Sequence, residues 1–219
     1  MFPLTEALTT ENRILFDEHI FSLHIYEMEK VVDPDFINQN VSGLGVGKEL
    51  FGQFYDLSAG GSTDFRSGNA AFHEMLITDD TKKILSKYDQ TGYASDHLPN
   101  YTGAYSGADV MPLIRIPEMY YIMAEALLEE GDKEYARDYL DAVVSARGMV
   151  KFADRDTGKD ITLDDIMNER RKELFGEGQW WFCLKRLNRD VYVHALDATL
   201  KGSDRIYTLP LPTEELDPR

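Results

Sequence analysis

The chain has 219 residues, of which 43% are hydrophobic, a length and composition typical of one sizeable globular core or two small ones. Its 39 acidic against 23 basic residues give a formal charge of -16, which opposes binding to nucleic acid because phosphates attract clustered Lys and Arg. An acidic surface favours neutral ligands or cations instead. Residues 1–12 show no secretory leader, and no segment approaches the roughly 20 apolar residues that span a bilayer.

The first predicted element is a short strand at residues 20–25. There Phe21, Leu23 and Ile25 alternate with polar residues, the period of two that a half-buried strand shows. Residues 43–107 hold ten of the sixteen glycines and few periodic runs, so we expect mostly loop, including a flexible Gly-rich turn at residues 43–48. The best candidates for short helices in this region are residues 70–78 and 79–88.

An antiparallel pair of helices is predicted over residues 115–148. Pro117 suits the first turn of a helix, and Gly131 and Gly148 mark the two helix ends. Each helix has one stripe at helical spacing. The first stripe consists of Ile116, Tyr120, Met123 and Leu127, and the second of Ala136, Leu140, Val143 and Arg147. This unit resembles one tetratricopeptide repeat, which cannot cover its own apolar faces, so we expect it to pack on further helices.

A third long helix is predicted to begin at Thr162, which is spaced to form a capping box with Asp165. Its stripe is apolar except for one charge and consists of Leu163, Ile166, Arg170 and Leu174. A further helix is predicted at residues 180–187. Residues 206–211 contain a proline, which predicts an extended edge segment rather than a central strand.

Four segments of the second half carry a family resemblance. In chain order they are RIPEMYYIMAEALLEEGD from Arg115, YLDAVVSARGM from Tyr139, ITLDDIMNERRKELFGEGQWWFCLKRLNR from Ile161, and YTLPLPTEEL from Tyr207. Together they resemble the C-terminal half of the SusD/RagB family of surface nutrient-binding proteins. The resemblance covers residues 110–216 and, more loosely, residues 12–25. Members of that family are usually about twice this long and begin with a lipoprotein signal, so the chain resembles a fragment.

The resemblance implies a mainly α fold in which a tetratricopeptide-like helix hairpin packs with further helices, beside long irregular loops and one or two short strands. It implies a single SusD/RagB-like region over residues 1–219. Within this region, residues 1–109 are expected to form a loop-rich segment on the ligand side. Residues 110–216 are expected to form the helical scaffold.

The function that the resemblance implies is non-catalytic binding of a glycan at the outer-membrane surface, with delivery to a SusC-like TonB-dependent transporter. It implies no cofactor, no nucleic acid partner, and membrane attachment only through a lipid anchor. Two alternatives stay open: a peptide-binding member of the same family, and a helical scaffold for protein–protein interaction. A glycoside hydrolase would need two carboxylates facing each other across a cleft, and nothing in the sequence suggests such a pair.

The densest charge cluster lies at residues 169–177 and includes Arg170, Glu173 and Glu177. Helical spacing brings Arg170 near Glu173. Because Arg170 interrupts an apolar stripe, it needs a buried partner, so we interpret the cluster as a structural ion-pair network. The alternative is an anion site or a catalytic pair of carboxylates.

The candidate ligand-binding residues lie in the Gly-rich region, where aromatic rings are interleaved with short polar side chains. They are Tyr88, Tyr93, His97, Asn100, Tyr101 and Tyr105. Rings on a loop can stack on sugar faces while polar neighbours bind hydroxyl groups. The alternative is that these tyrosines only anchor a long loop to the helices beneath it.

Other candidates for chemistry are weaker. Adjacent residues on a helix point about 100° apart, so at most one of Trp180 and Trp181 can face a ligand, and we expect Trp181 in the core. The five histidines are scattered without metal-ligand spacing, and the acidic residues at 154–165 depart from the calcium-loop pattern, so no metal site is predicted. The single cysteine, Cys183, is expected to be a buried thiol.

Overall fold

The computed structural model describes residues 4–10, 12–28, 32, 45–57, 61–77, 80–89, 109–155, 159–193 and 196–209. The chain divides into two compact units, Met1–Gly176 and Glu177–Arg219. The fold is mainly α, as predicted. None of the helices in the described ranges is both long and apolar enough to cross a membrane.

The helices of the described residues are α1 (Lys48–Phe54), α2 (Ile116–Glu129), α3 (Lys133–Ala146), α4 (Leu163–Glu173), α5 (Gln179–Arg186) and α6 (Asp204–Tyr207). The strands are β1 (His19–His24), β2 (Gly45–Gly47), β3 (Phe72–Ile77), β4 (Asp80–Leu85), β5 (Val110–Arg115), β6 (Val191–Val193) and β7 (Ala198–Leu200). Short 3-10 turns lie at Phe16–Glu18, Gly61–Thr63, Phe65–Ser67 and Phe152–Asp154. The first unit contains the elements from β1 to α4, and the second unit those from α5 to α6.

The predicted helix pair is confirmed as α2 and α3, and local signals set its ends. Pro117 lies in the first turn of α2, where its missing N–H costs nothing. Asp132 caps α3, because its side chain accepts a hydrogen bond from the Tyr135 N–H at 3.3 Å. Gly131 and Gly148 follow the two helices with φ angles of 88° and 81°, a conformation that glycine adopts without steric cost.

The first core is the largely aliphatic cluster that α2 and α3 form with Ile161 and Ile166. The predicted α3 stripe is buried along its whole length, including Arg147. The α2 stripe is rotated, because Tyr121 and Ala124 occupy the buried face while Met123 is 42% exposed. Met123, which belongs to the predicted stripe, therefore lies outside the buried face.

The capping box at the start of α4 is confirmed. The Thr162 side chain accepts a hydrogen bond from the Asp165 N–H, and the Asp165 carboxylate accepts one from the Thr162 N–H at 2.8 Å. Further along, the Glu169 carbonyl oxygen accepts a hydrogen bond from the Tyr121 hydroxyl at 3.3 Å, which ties α4 to α2. Ile166 of α4 lies in the first core, while Glu169 and Glu173 of the same helix are buried charged residues.

Residues 45–85 include a three-stranded antiparallel sheet in the order β2–β4–β3. The helices predicted at residues 70–78 and 79–88 are therefore wrong. β-branched residues such as Thr81 and Ile84 favour strands, and the two predicted segments are too short for a helical stripe to oppose that preference. Gly45 lies in β2 instead of a turn, and a Cβ there would lie 2.7 Å from the Lys82 Cβ, so the close approach requires glycine.

The second core is the aromatic cluster beneath this sheet. The Phe51 ring centroid lies 4.9 Å from those of Tyr55 and Phe72, with tilted and edge-on geometries that aromatic pairs prefer. Leu85, at the end of β4, and Tyr88, in the turn after it, also belong to the buried part of the cluster.

The predicted strand at residues 20–25 is found as β1, which pairs antiparallel with β5. Its expected alternation of buried and exposed residues is not found, because Phe21 and Leu23 are 52% and 44% exposed. The register shifts between His19 and Phe21 and again between Phe21 and Ser22. Such bulges bend a strand and break its period of two.

The second unit contains the helix predicted at residues 180–187, here α5, and a small hairpin of β6 and β7. Cys183 is a buried thiol, as predicted. The extended segment predicted at residues 206–211 is wrong at its start, because Ile206 and Tyr207 belong to α6. The Tyr207 hydroxyl donates a hydrogen bond to the Arg189 carbonyl oxygen, which fixes this turn beside the end of α5.

Candidate functional site

The predicted ligand-binding residue Tyr88 is buried in the second core, and only 4% of it is exposed. Its hydroxyl donates a hydrogen bond to the Gly176 carbonyl oxygen at 2.9 Å. The ring therefore has no face to offer a ligand, and the role assigned to it is corrected to that of an anchor. The other five predicted residues, Tyr93, His97, Asn100, Tyr101 and Tyr105, lie outside the described residues and stay a prediction.

The ends of the segment that carries those five residues are fixed to the first unit. At the first end, Arg13 donates a hydrogen bond to the Asp89 carbonyl oxygen. At the other end, the Asp109 carbonyl oxygen accepts a hydrogen bond from the Ile25 N–H at 2.7 Å, and its carboxylate accepts one from the Met28 N–H at 3.0 Å. Met28 and Tyr88 both lie in the second core, so the described residues on either side of 90–108 are attached to that core.

A network of buried charges lies within the first unit, with Glu173 at its centre. The Glu173 carboxylate accepts hydrogen bonds from Arg115 at 2.7 Å, from Arg147 at 2.9 and 3.0 Å, and from Arg66 at 3.3 Å. These arginines come from the end of β5, the end of α3 and the turn before β3, respectively. A single carboxylate at the end of α4 thus connects three distant parts of the chain.

Other carboxylates form ion pairs with the same arginines. Glu18 accepts two hydrogen bonds from Arg147, at 2.7 and 3.0 Å. Arg66 donates to Glu169 at 2.7 Å and to Asp64 at 2.8 Å. All these side chains are almost fully buried, which is favourable only because each ion has partners.

Burial by itself would raise the pKa of Glu173, but the nearby charges of Arg147 and Arg115 outweigh it and hold the pKa well below 4.5. The pKa of Glu169 is likewise lowered, since Arg66 and Lys172 overcome the effect of its burial. Both carboxylates therefore stay ionised at neutral pH. A general acid needs a raised pKa, so neither group is suited to that role.

Arg170 and Glu173 of the predicted cluster have different partners in the structure. Arg170 forms its ion pair with Glu118 of α2, while Glu173 contacts the three arginines. Glu177 belongs to the second unit. Of the residues that the sequence prediction missed, Arg147 carried a signal, because it occupies a core position of the α3 stripe.

One cavity of the first unit lies beside this network and measures about 30 Å³. Its lining includes Leu15, Tyr55, Phe72 and Phe175. A site for one water molecule needs roughly 10–15 Å³ by this measure, so the cavity has room for about two water molecules and none for a sugar ring. This cavity is therefore not a glycan site.

No group of three or more metal-ligating side chains occurs within the described ranges, which omit residues 156–158. Two acids of the loop considered for calcium have other roles. Asp160 pairs with Lys133 at 2.8 Å, and Asp165 caps α4.

Exposed aromatic rings occur in each unit. In the first unit, Tyr26 is 75% exposed, and in the second unit Trp181 and Phe182 are 40% and 66% exposed. The expectation that Trp181 lies in the core is therefore wrong. Its ring packs on Tyr207 with the centroids 5.1 Å apart, which leaves part of it open to solvent.

Comparison with known families decides what this architecture belongs to. The sequence model of the SusD family matches residues 49–217, which is most of the chain. The chain belongs to the SusD family. Among its curated relatives, SusD-like protein P38 from Formosa agariphila is 27% identical over 143 residues, a match that covers 61% of this chain and 27% of the relative.

Solved structures of SusD-like proteins share the fold. A SusD superfamily protein from Bacteroides thetaiotaomicron aligns with a TM-score of 0.60 and 22% identity, covering 91% of this chain and 46% of the other. A proposed sugar-binding protein from Bacteroides vulgatus aligns with a TM-score of 0.57 and 19% identity, covering 91% and 43%. The chain thus spans less than half the length of these relatives.

Proposed function

We propose that this SusD-family chain captures a glycan without cleaving it, as part of a protein at the outer-membrane surface that delivers the glycan to a SusC-like TonB-dependent transporter. The observation that carries the proposal is the family match over residues 49–217. Attachment to the membrane through a lipid anchor belongs to the same proposal.

Three physical features support capture without catalysis. The formal charge of -16 favours a neutral ligand over an acidic polymer. The most deeply buried carboxylates, Glu169 and Glu173, are held ionised by arginine and lysine and serve as structural groups. Tyr88 and Asp109, which precede and follow the predicted binding residues Tyr101 and Tyr105 in the chain, are both held to the second core, and binding loops are commonly positioned by such a scaffold.

Electrophoresis through gels that contain a neutral polysaccharide tests the proposal. Separate gels would contain laminarin, amylopectin, xylan or galactomannan, with bovine serum albumin as the non-binding control. We expect one or more of these polysaccharides to retard the chain, and we expect the polysaccharide to be recovered at its original length. Lack of retardation in every gel, or recovery of shortened chains, would contradict the proposal.

A protein-interaction scaffold is the second candidate, and one observation favours it. Met119, Ile122 and Met123 share one face of α2 and are each more than 40% exposed. An exposed apolar stripe of this kind is typical of a surface that another protein covers. If a second copy covers it, sedimentation at increasing concentration will show self-association that Ile122→Glu abolishes, whereas a strictly monomeric chain would argue against that form of the scaffold.

A further inference from the structure

The small cavity of the first unit lies where distant parts of the chain meet. Its wall includes Leu15 from the segment before β1, Leu85 from the end of β4, and Phe175, which follows α4. Its volume of about 30 Å³ corresponds to about two water molecules. Only a ligand of one or a few atoms can bind inside it.

The charged side chains of the cavity wall are mostly cationic. The cations that line the cavity are Arg13, Arg66, Lys87, Arg115 and Lys172. Glu173 is the one acid of the wall within the described residues, and its carboxylate already accepts hydrogen bonds from three arginines. Because charges interact more strongly in a buried site than in water, such a wall favours an anion over a cation in the cavity.

Arg13 has a buried donor for which the described residues provide no acceptor. Arg66, Arg115 and Lys172 each donate to a carboxylate within 3.0 Å. The Arg13 Nη1 donates a hydrogen bond to the Asp89 carbonyl oxygen, but the Asp89 carboxylate lies 3.9 Å away. The Arg13 side chain is only 10% exposed, and no part of the described chain accepts a hydrogen bond from its buried Nε. Such a donor is costly to leave unpaired, which indicates a ligand beside it.

We propose that this cavity binds one chloride ion, with the Arg13 Nε as a hydrogen-bond donor to it. Chloride is only slightly larger than a water molecule and fits the volume, whereas polyatomic anions such as phosphate and gluconate do not. Water also fits, but it carries no charge to offset the cationic wall. The ion connects the segment before β1 with β4 and the end of α4. The site therefore stabilises the first unit and is independent of the proposed glycan capture.

Urea unfolding of the full chain at constant ionic strength tests the site in solution. Sodium chloride would replace sodium gluconate in steps, because gluconate is too large for the cavity. A ligand that binds only the folded chain stabilises it, so the folding equilibrium constant should rise by up to about tenfold for each tenfold increase in chloride. Equal urea midpoints in the two salts would overturn the proposal.

Two variants distinguish chloride in the cavity from chloride on the protein surface. Arg13→Met removes the donor, so its urea midpoint should be the same in chloride and in gluconate, whatever its absolute stability. Lys133→Met removes the same charge from α3, where the side chain is 55% exposed, and should keep the chloride dependence of the unaltered chain. An Arg13→Met chain that keeps the full chloride dependence would overturn the proposed site.

Bromide locates the ion directly, because it replaces chloride in such sites and scatters X-rays anomalously. Crystals of the unaltered chain soaked in sodium bromide should show an anomalous peak inside the cavity, within hydrogen-bond distance of the Arg13 Nε. A cavity that contains only water, without an anomalous peak, would overturn the proposal even if Arg13→Met fails to fold.

Discussion

Residues 110–176 and residues 45–89 belong to one compact unit, but their structures are encoded in different ways. The later region consists of helices of 14, 14 and 11 residues, whose caps and stripes repeat over several turns. The earlier region consists of one seven-residue helix, short turns and strands of at most six residues around an aromatic cluster. Long periodic elements carry their own signals, whereas short strands depend on the partners beside them.

The buried charge network joins these two regions. Arg66 comes from the short-element region, and it contacts Glu169 and Glu173 of α4 in the helical region. Charges as well as apolar packing therefore hold residues 45–89 against the helical region. We therefore expect substitutions in the charge network to reduce the free energy of unfolding, and substitutions of the predicted ligand-binding residues to reduce polysaccharide affinity.

Glu173→Ala should have the largest effect, because it leaves Arg66, Arg115 and Arg147 buried without their shared partner. Removal of one member of a buried ion pair costs about 3–5 kcal/mol of unfolding free energy, a large part of the stability of an ordinary domain. Urea unfolding followed by far-ultraviolet circular dichroism measures the loss. Glu129→Ala, on the exposed end of α2, is the control and should unfold like the unaltered chain. A Glu173→Ala chain with unaltered stability would refute the scaffold role of the network.

Acid should destabilise the chain through the same network. The pKa of Glu173 and of Glu169 is held below 4.5 by arginine and lysine in spite of burial, so the unfolded chain binds more protons than the folded chain as the pH falls. The stability that these groups contribute is complete above about pH 4.5 and is lost as the pH falls through the folded pKa values. The urea midpoint should therefore fall steeply between about pH 5 and pH 3. Equal midpoints at those two pH values would contradict the ionised network.

The sequence predicted the helical region in detail but only part of the charged interior. The Thr162 capping box, Gly131, Gly148 and the α3 stripe are local signals, and each was found where predicted. Arg66 and Glu18 could not be found in this way, because they lie over 100 residues from Glu169 and Arg147, the residues they contact, and no local pattern links them.

The candidate site shows the same limit. Tyr88 looks like any other tyrosine of the Gly-rich region, and only the fold shows that its ring lies in the second core. Tyr26 follows a short strand with no motif of its own, and its ring is exposed in a turn that is held by Asp109, which lies 81 residues from Met28 in the chain. Composition alone cannot distinguish a tyrosine whose ring packs in a core from a tyrosine whose ring lies on the surface.

Arg170→Ala should have an intermediate effect on stability. Arg170 pairs with Glu118 alone in the described residues, and both side chains are slightly exposed, at 14% and 13%. A pair between the exposed and fully buried extremes suggests a loss of about 1–2 kcal/mol, smaller than that of Glu173→Ala. The same urea titration measures it. A loss equal to that of Glu173→Ala would mean that Arg170 belongs to the central network after all.

The smallest effect on stability, and the largest on binding, is expected from Tyr101→Ala and Tyr105→Ala. Rings that stack on a ligand contribute to affinity and little to the cores, so each change should weaken polysaccharide binding and leave the urea midpoint unchanged.

The separation of scaffold and binding surface is tested by measuring polysaccharide affinity and urea midpoint together for Tyr101→Ala and Arg170→Ala. We expect Tyr101→Ala to lose polysaccharide affinity while its urea midpoint stays unchanged, and Arg170→Ala to have a lower urea midpoint while its polysaccharide affinity stays unchanged. An Arg170→Ala chain that unfolds like the unaltered chain but no longer binds would contradict the separation of scaffold and binding surface.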